Sequence, residues 1–457
     1  MNELPKGWTT ATIVNLIAPD GIFSDGDWVE SKDQDPAGSI RLLQLADVGD
    51  AVFVGKSNRF VNNAKFEQLR FTEVFEGDVL IARMPDPLGR ACLAPKLRQR
   101  CITVVDVAIV RPGPQSARTK WLMYFLNSPQ VRQVIDVQSS GTTRRRISRG
   151  NLAQLELPLP PLPEQKRIAD KLDSLLAPVD ACRERLDRVP KILKRFRQSV
   201  LAAATSGELT REWREARGLE IKWPNILLYE ICHSIADGDH QAPPKSATGV
   251  PFITIGAINT GVLRLENATR FVPAEYFNSL KPERRARLGD VLFSVTGSIG
   301  ISALVDTDLP FVFQRHIAVL RPNVKIMGAK FLFYRLSAED IQLQCAAVAT
   351  GTAQLTIPLG GLRSFAFSLP SIPEQEEIVR RVDSLFTMAS ALEKRCQNAT
   401  AFITSLTPST LAKAFRGELV PQDPDDEPAS ELLARIRSQV AVSESAKPKR
   451  VLKKAES

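Results

Sequence analysis

Histidine is scarce in this chain: His233, His240 and His316 are the three in 457 residues. That leaves imidazole catalysis and histidine metal sites little material. The six cysteines, Cys92, Cys101, Cys182, Cys232, Cys345 and Cys396, form no CxxC pair. They read as reduced, small apolar residues rather than disulfide or metal partners. No apolar run reaches the 18 or so residues of a membrane span, and MNELPKGWTT has neither the basic start nor the apolar stretch of a signal peptide. A cytoplasmic protein with no membrane contact is expected. Methyltransferase signatures are missing too, since no glycine-rich cofactor loop appears and the Pro-Pro pairs lie in LPPLPEQ and APPKS.

Two motifs come close to enzyme signatures. Pro19-Asp20 followed by Glu30-Ser31-Lys32 has the residue order of a metal-dependent nuclease, in which carboxylates hold Mg²⁺ and a lysine helps activate water. VESKDQDPAG reads as a loop, however, where that motif needs a strand. Gly49 to Ser57, GDAVFVGKS, has five residues between its glycines where a phosphate-binding loop needs four, and no amphipathic helix follows. The chain is therefore expected to bind no cofactor or metal and to catalyse nothing itself. What it does have is charge of one sign: 60 Lys and Arg against 51 Asp and Glu, a net +9 that favours a polyanionic partner.

It also repeats itself. EQKRIADKLDSL from Glu164 returns as EQEEIVRRVDSL from Glu374, 210 residues later, and Gly207-Glu208-Leu209 returns as Gly417-Glu418-Leu419. SSGTTRRRI, ending at Ile147, faces ATGTAQLTI, ending at Ile357, and ITVVDVAIVRP faces VFQRHIAVLRP in the same register. DGDW at Asp25 and DGDH at Asp237, with GDVL at Gly77 and Gly289, extend the match upstream. The whole chain is a tandem duplication.

Each half has two textures. Residues 1–160 and 215–370 carry short β-branched runs, among them Ala51 to Val54, Ile102 to Val110, Phe252 to Ile255 and His316 to Leu320, punctuated by Gly, Pro, Asn and Asp. Short helices are expected at Lys120 to Asn127 and Ala329 to Ser337, giving one α+β domain present twice. Residues 161–214 and 371–420 read as long helices, entered through Pro163-Glu164 and Pro373-Glu374. Ile168, Leu172, Leu175, Leu186, Leu193 and Phe196 fall on a 3.5-residue repeat, as do Ile378, Val382, Leu385, Leu392, Ile403 and Leu406. Such a seam calls for a partner helix, naturally the other copy, although docking on the globular domains is the competing reading. Pro178, Pro190 and Pro408 should kink or break the rods. A rod of about 33 residues at roughly 1.5 Å each spans around 50 Å, the order of one turn of duplex DNA, about 34 Å between half-sites. The tail, 421–457, is expected to be mostly flexible, with a short helix at Glu431 to Val440.

The order of domain, PLPPLPEQ helix ending in GEL, second domain, and second PEQ helix ending in RGEL resembles the specificity subunit of type I restriction-modification systems, over roughly residues 4–437. That resemblance implies two target-recognition domains, each reading half of an interrupted asymmetric site in double-stranded DNA. It implies two long antiparallel helices that set the spacer as a coiled coil with internal pseudo-two-fold symmetry. Two modification (methyltransferase) subunits would dock on the helices, and ATP-driven restriction subunits would join the larger complex. S-adenosylmethionine, ATP and Mg would then belong to those partners. The rival reading is a duplicated protein-interaction scaffold without sequence-specific DNA binding, which would lack salt-sensitive DNA affinity.

Base reading needs Arg, Asn or Gln at base edges and basic or hydroxyl groups at phosphates. The densest candidates are Arg144, Arg145, Arg146 and Arg149 in TTRRRISR, whose counterparts Thr352 and Gln354 are uncharged. Arg83 and Arg90 in ARMPDPLGR face Thr296 and Ser298 in FSVTGSIG. Trp28, His240, Gln241 and Lys245 lie in the DGDW and DGDH loops. The competing readings are a solvated face for the charge run and, for the glycines in such loops, backbone geometry alone.

Overall fold

The computed structural model describes residues 3–69, 71–141, 144–220, 223–239, 243–352 and 354–445. Its contacts divide the chain into two compact units, residues 1–185 with 399–457 and residues 186–398. Each unit combines one globular domain, the first part of one long helix and the last part of the other.

In the first unit a four-stranded antiparallel sheet runs Ile22–Asp25, Val107–Arg111, Val79–Ala82, Ala91–Leu93. Beside it a three-stranded sheet places Ile40–Leu43 between Phe60–Val61 and Cys101–Thr103, the last pair parallel. Thr9–Thr12 pairs with Glu156–Leu159, so the two ends of the globular domain close on each other. The β-branched run Ile102 to Val110 serves both larger sheets, and it changes sheet through a turn closed by Val107 N–H donating to the Val104 carbonyl at 2.9 Å. The second unit repeats this plan. Cys232–Asp237, Ile317–Pro322, Val291–Ser294 and Ser302–Leu304 form one sheet, Arg270–Val272, Val250–Ile253 and Val312–Phe313 the next, and Asn225–Leu227 pairs with Ala366–Ser368. Its equivalent turn is closed by Ile317 N–H and the Gln314 carbonyl, also at 2.9 Å.

Ala51 to Val54 is not a strand. Gly49 N–H bonds the Val52 carbonyl at 2.9 Å and Ala51 takes φ +58°, so a local turn competes successfully with extension. The short helices are Thr119–Leu126 and Ala329–Leu336, close to expectation. Trp121, fully buried, stacks on Phe125 at 5.9 Å, and both meet Phe415 from the end of the second long helix edge-on.

The long helices are Leu162–Thr205 and Ile372–Ala414. Both run unbroken through Pro178, Pro190 and Pro408, which excludes the breaks among the expected kinks or breaks. All three prolines are exposed, so the carbonyl each leaves without its helical donor can be hydrated.

The seam also needs correction. Ile168 and Leu172 are buried in the first globular core, together with Leu411 and Ala414, and Ile378 and Val382 are buried in the second, together with Val200 and Leu201. The start of each helix thus packs on its own domain and on the end of the other helix at once. Phe196 and Leu385 are half-buried members of the second core and Leu193 is buried, while Leu186, Ile403 and Leu406 are half-buried. Leu175 and Leu392 are 38% and 42% exposed. An α-helix turns every 3.6 residues, so Leu176, 7% exposed, takes the place that a 3.5-residue repeat gave to Leu175. In the second unit Arg197 donates to Glu393 at 2.8 Å, and Arg381 donates to the Leu209 carbonyl at 2.8 Å. Rising numbers on one helix meet falling numbers on the other, so the pair is antiparallel there.

The tail is not free over its described length. Its helix runs Ala429–Ser445, longer than expected, and buries Leu432, Leu433 and Ile436 in the first core. Ala429 N–H bonds the Gly7 carbonyl at 2.9 Å, and Arg167 pairs with Asp426 at 2.7 Å.

Candidate nucleic-acid interface

The repeated motifs turn out to be structural keys. In the first unit Trp8 Nε1 donates to Glu164 Oε2 at 3.0 Å; in the second, Trp223 Nε1 donates to Glu374 Oε2 at 2.9 Å. Gln165 accepts from Arg118 N–H at 2.9 Å and donates to the Pro160 carbonyl at 2.9 Å, as Gln375 does with Gly328 N–H at 2.8 Å and the Pro370 carbonyl at 2.9 Å. The aspartate of DSL clamps the domain's short helix. Asp173 takes Lys120 and Tyr124, each at 2.7 Å, and Asp383 takes Lys330 at 2.7 Å and Tyr334. Burial and these carboxylates push both phenols up. The GDVL aspartates hold the arginines that end the central strands, Arg111 on Asp78 at 2.6 Å and Arg321 on Asp290 at 2.9 Å. The glutamate, glutamine and DSL aspartate seat each domain on its helix, the GDVL aspartates brace the sheet itself, and the remaining loops are free to differ.

Arg83 and Arg90 leave the list of DNA contacts. Arg83 is 5% exposed, pairs with Asp25, and donates to the Ile147 and Val105 carbonyls at 3.0 and 3.2 Å. Arg90 is 7% exposed and donates to four carbonyls, Val48 at 2.6 Å, Leu45 at 2.8 Å, Pro87 at 2.9 Å and Met84 at 3.2 Å. Burial pulls both guanidinium groups down. A guanidinium whose donors are spent on protein carbonyls has no fork to offer a base. Arg90→Ala is accordingly expected to leave carbonyls unpaired and lower stability by about 2–4 kcal/mol, with no change in DNA preference. Denaturant unfolding beside a DNA-selection assay checks it.

Two of the candidates, Trp28 and Arg146, meet at one place in the first unit. Trp28, 70% exposed, lines an open cleft of about 510 Å³ with Lys32, Gln34, Gln44 and Arg59. An adjoining cleft of about 460 Å³ carries Trp28 and Gln44 on to Val105 and Asp106. There Arg146, half-buried, reaches Asp106 at 3.2 Å and the Val105 carbonyl at 3.3 Å. Arg145 is exposed and held by Ser139 and Asp136, while Arg144 and Arg149 are exposed. An aromatic, two amides and several cations around one groove can stack on bases, bond base edges and meet phosphates. Gln34, Gln44 and Arg59 escaped the sequence reading, and Lys32 entered it only as a nuclease-like lysine, because three separate loops supply the four. Glu30 and Lys32 pair with each other at 2.7 Å in this exposed loop, and no group of three or more ligand residues suited to a metal occurs among the described residues.

The glycine of DGDW has a steric reason. Gly26 lies so close to the Val104 carbonyl that any Cβ would collide with it, and a Cβ on Gly238 would collide with the Phe313 carbonyl. Asp27 caps the turn by accepting Thr72 N–H at 3.2 Å, and burial pushes its carboxyl up.

In the second unit Thr296 is 9% exposed and bridged through its backbone to Thr356, whereas Ser298, Thr352, Gln354 and Lys245 are exposed. His240 and Gln241 lie outside the described residues. What the sequence reading passed over is the turn Gln314–Arg315–His316, in register with Val104–Val105–Asp106. The facing of VFQRHIAVLRP and ITVVDVAIVRP was the signal that could have found it.

Comparison with known proteins gives a consistent result. The family model for the type I restriction modification DNA specificity domain matches residues 36–190 and 221–400. The EcoBI specificity subunit of Escherichia coli is 36% identical, over 77% of either chain, and the StySPI specificity subunit of Salmonella potsdam is 31% identical over 96% of this chain and 97% of its own. Among solved structures, a chain from work on assembly and conformational transition of the type I restriction-modification system aligns over 92% of this chain and all of its own, with TM-score 0.66 at 20% identity. The HsdS subunit from Thermoanaerobacter tengcongensis aligns over 91% and 98% with TM-score 0.57 at 22% identity, which supports the same fold.

Proposed function

The chain belongs to the family of type I restriction-modification specificity subunits, and from that premise we propose that each unit reads one half of a bipartite, asymmetric site in double-stranded DNA. It is a non-catalytic recognition subunit. The observation that carries the reading is the contrast between the two copies. The keys at Glu164 and Glu374, Gln165 and Gln375, and Asp173 and Asp383 are the same, while the loops around Trp28 and Arg146 differ from those around Lys245 and Gln354. A common seat with unlike reading loops is what two unlike half-sites require.

The long helices set the spacing between half-sites and carry two modification subunits, to which S-adenosylmethionine belongs; ATP and Mg belong to restriction subunits in the larger complex. Each unit leaves equivalent apolar positions uncovered on its helices. In the first these are Pro178, Cys182 and Phe402, the last 66% exposed; in the second they are Met388, Leu392 and Ile192, at 52%, 42% and 60%. Exposure at matching positions of a duplicated helix suits two copies of one partner. No helix among the described residues is long and apolar enough to cross a membrane.

The test is to map methylated bases across the genome of cells carrying the chain with its modification partner. A motif of two unlike short halves separated by a fixed gap is expected; a continuous motif, or none, would overturn the reading in favour of a scaffold.

A further inference from the structure

The two units use one backbone lattice for their reading surface but place the cation on different elements of it. In the first unit Arg83 N–H donates to the Asp106 carbonyl at 2.8 Å, and Ile147 N–H donates to the Arg83 carbonyl at 3.1 Å. This ties the turn at 104–106 to the hairpin that Ser140 and Arg146 close with mutual bonds of 2.9 Å. In the second, Val295 N–H donates to the His316 carbonyl at 2.8 Å, and Ile357 N–H donates to the Val295 carbonyl at 2.7 Å. The hairpin there is closed by Thr350 and Thr356 with mutual bonds of 2.8 Å. Atom for atom, turn, middle strand end and hairpin correspond.

The side chains on this lattice are exchanged. The first turn reads Val104-Val105-Asp106 and its hairpin Arg144-Arg145-Arg146; the second turn reads Gln314-Arg315-His316 and its hairpin Gln354-Leu355-Thr356. Asp106 holds Arg146 in place in the first unit. In the second that acidic position is His316, the hairpin position is Thr356, and Arg315 is exposed beside half-buried Gln314. Swapping only one of the two elements between units would set His316 against Arg146, or leave Asp106 without its cation.

We infer that the second unit reads its half-site with the turn, Arg315 supplying a two-donor fork to a guanine and Gln314 an amide to a neighbouring base, whereas the first unit reads with its hairpin arginines. Turn and hairpin form one recognition element in each unit. This rests on the DNA-reading function above and goes beyond it by naming the element and the residue. Arginine offers two parallel donors that match guanine O6 and N7, and glutamine offers a donor and an acceptor that match adenine. Arg315 sits on a turn pinned at both ends to the sheet, so its backbone needs no reordering to present that fork.

The experiment uses the full chain and a duplex selected from random DNA by the wild type, with each pair of either half changed in turn. Arg315→Ala is expected to lose discrimination by about 5- to 150-fold at one or two pairs of one half, with the other half read as before. Arg315→Lys, which keeps the charge and loses the fork, should lose it equally. If instead Arg315→Ala weakens all duplexes evenly and reduces the salt slope by about one, Arg315 is a phosphate contact and the inference fails. Unchanged discrimination in both variants overturns it as well. Either result leaves the wider function standing, because that fails only if the wild type selects no bipartite duplex.

Discussion

Glu374→Ala should lower the stability of the chain by about 3–5 kcal/mol, because it strands a buried guanidinium. Arg214 and Glu374 are 3% and 4% exposed and pair directly; Glu374 also accepts from Thr210 at 2.9 Å and Trp223 at 2.9 Å. Arg214 donates further to the Gly207 carbonyl at 2.6 Å, so the network joins the end of one long helix to the start of the other within the second unit. Removing both charges, Arg214→Ala with Glu374→Ala, should cost less than the sum of the single changes.

The matching residue of the first unit should behave differently. Glu164 is 1% exposed and accepts from Trp8 and from Gln422 at 3.3 Å, while the nearby Arg167 is committed to Asp426. Burial raises its pKa, and those hydrogen bonds only partly oppose the rise. A carboxyl with a raised folded pKa stabilises fully below its unfolded value, and that contribution is lost as pH rises through the folded value. Glu164→Gln is therefore expected to change stability little near pH 7, or to increase it, and to cost more below pH 4. Denaturant unfolding of both variants at pH 4 and pH 7 separates the two. Equal losses at Glu164 and Glu374 at neutral pH would contradict the assignment.

The second large effect concerns specificity. Exchanging the first domain for that of another family member is expected to replace one half of the DNA target and leave the other intact. If the new half differs at three pairs, each worth about 1–3 kcal/mol, the old site should be disfavoured by roughly 3–9 kcal/mol. The structure decides where the joint must lie. A cut at residue 155 would separate Thr9–Thr12 from its partner strand Glu156–Leu159, so the exchange should run to Pro160. The incoming domain must also supply the tryptophan for Glu164, the lysine and tyrosine for Asp173, and a surface for Leu432, Leu433 and Ile436. Competition binding between old and new duplexes measures the result; a change in both halves would show that the units do not read independently.

The duplication, the α+β domains, the positions of both long helices and the family were legible because they rest on periodicity and on matches that hold one register over the whole chain. The residues behind those matches, Glu164, Gln165 and Asp173 with their counterparts, could be found in the sequence without their purpose. Their partners Trp8, Arg118 and Tyr124 lie 156, 47 and 49 residues away, and only folding brings them together. Arg83 and Arg144 are alike as letters in a loop, yet one is consumed by carbonyls and the other is exposed. Local sequence determines helix, strand and repeat because those depend on neighbours along the chain. Which cation faces water, which proline is tolerated and where a tail docks depend on groups from distant segments competing for the same donors and the same apolar surface, and tertiary structure alone decided them.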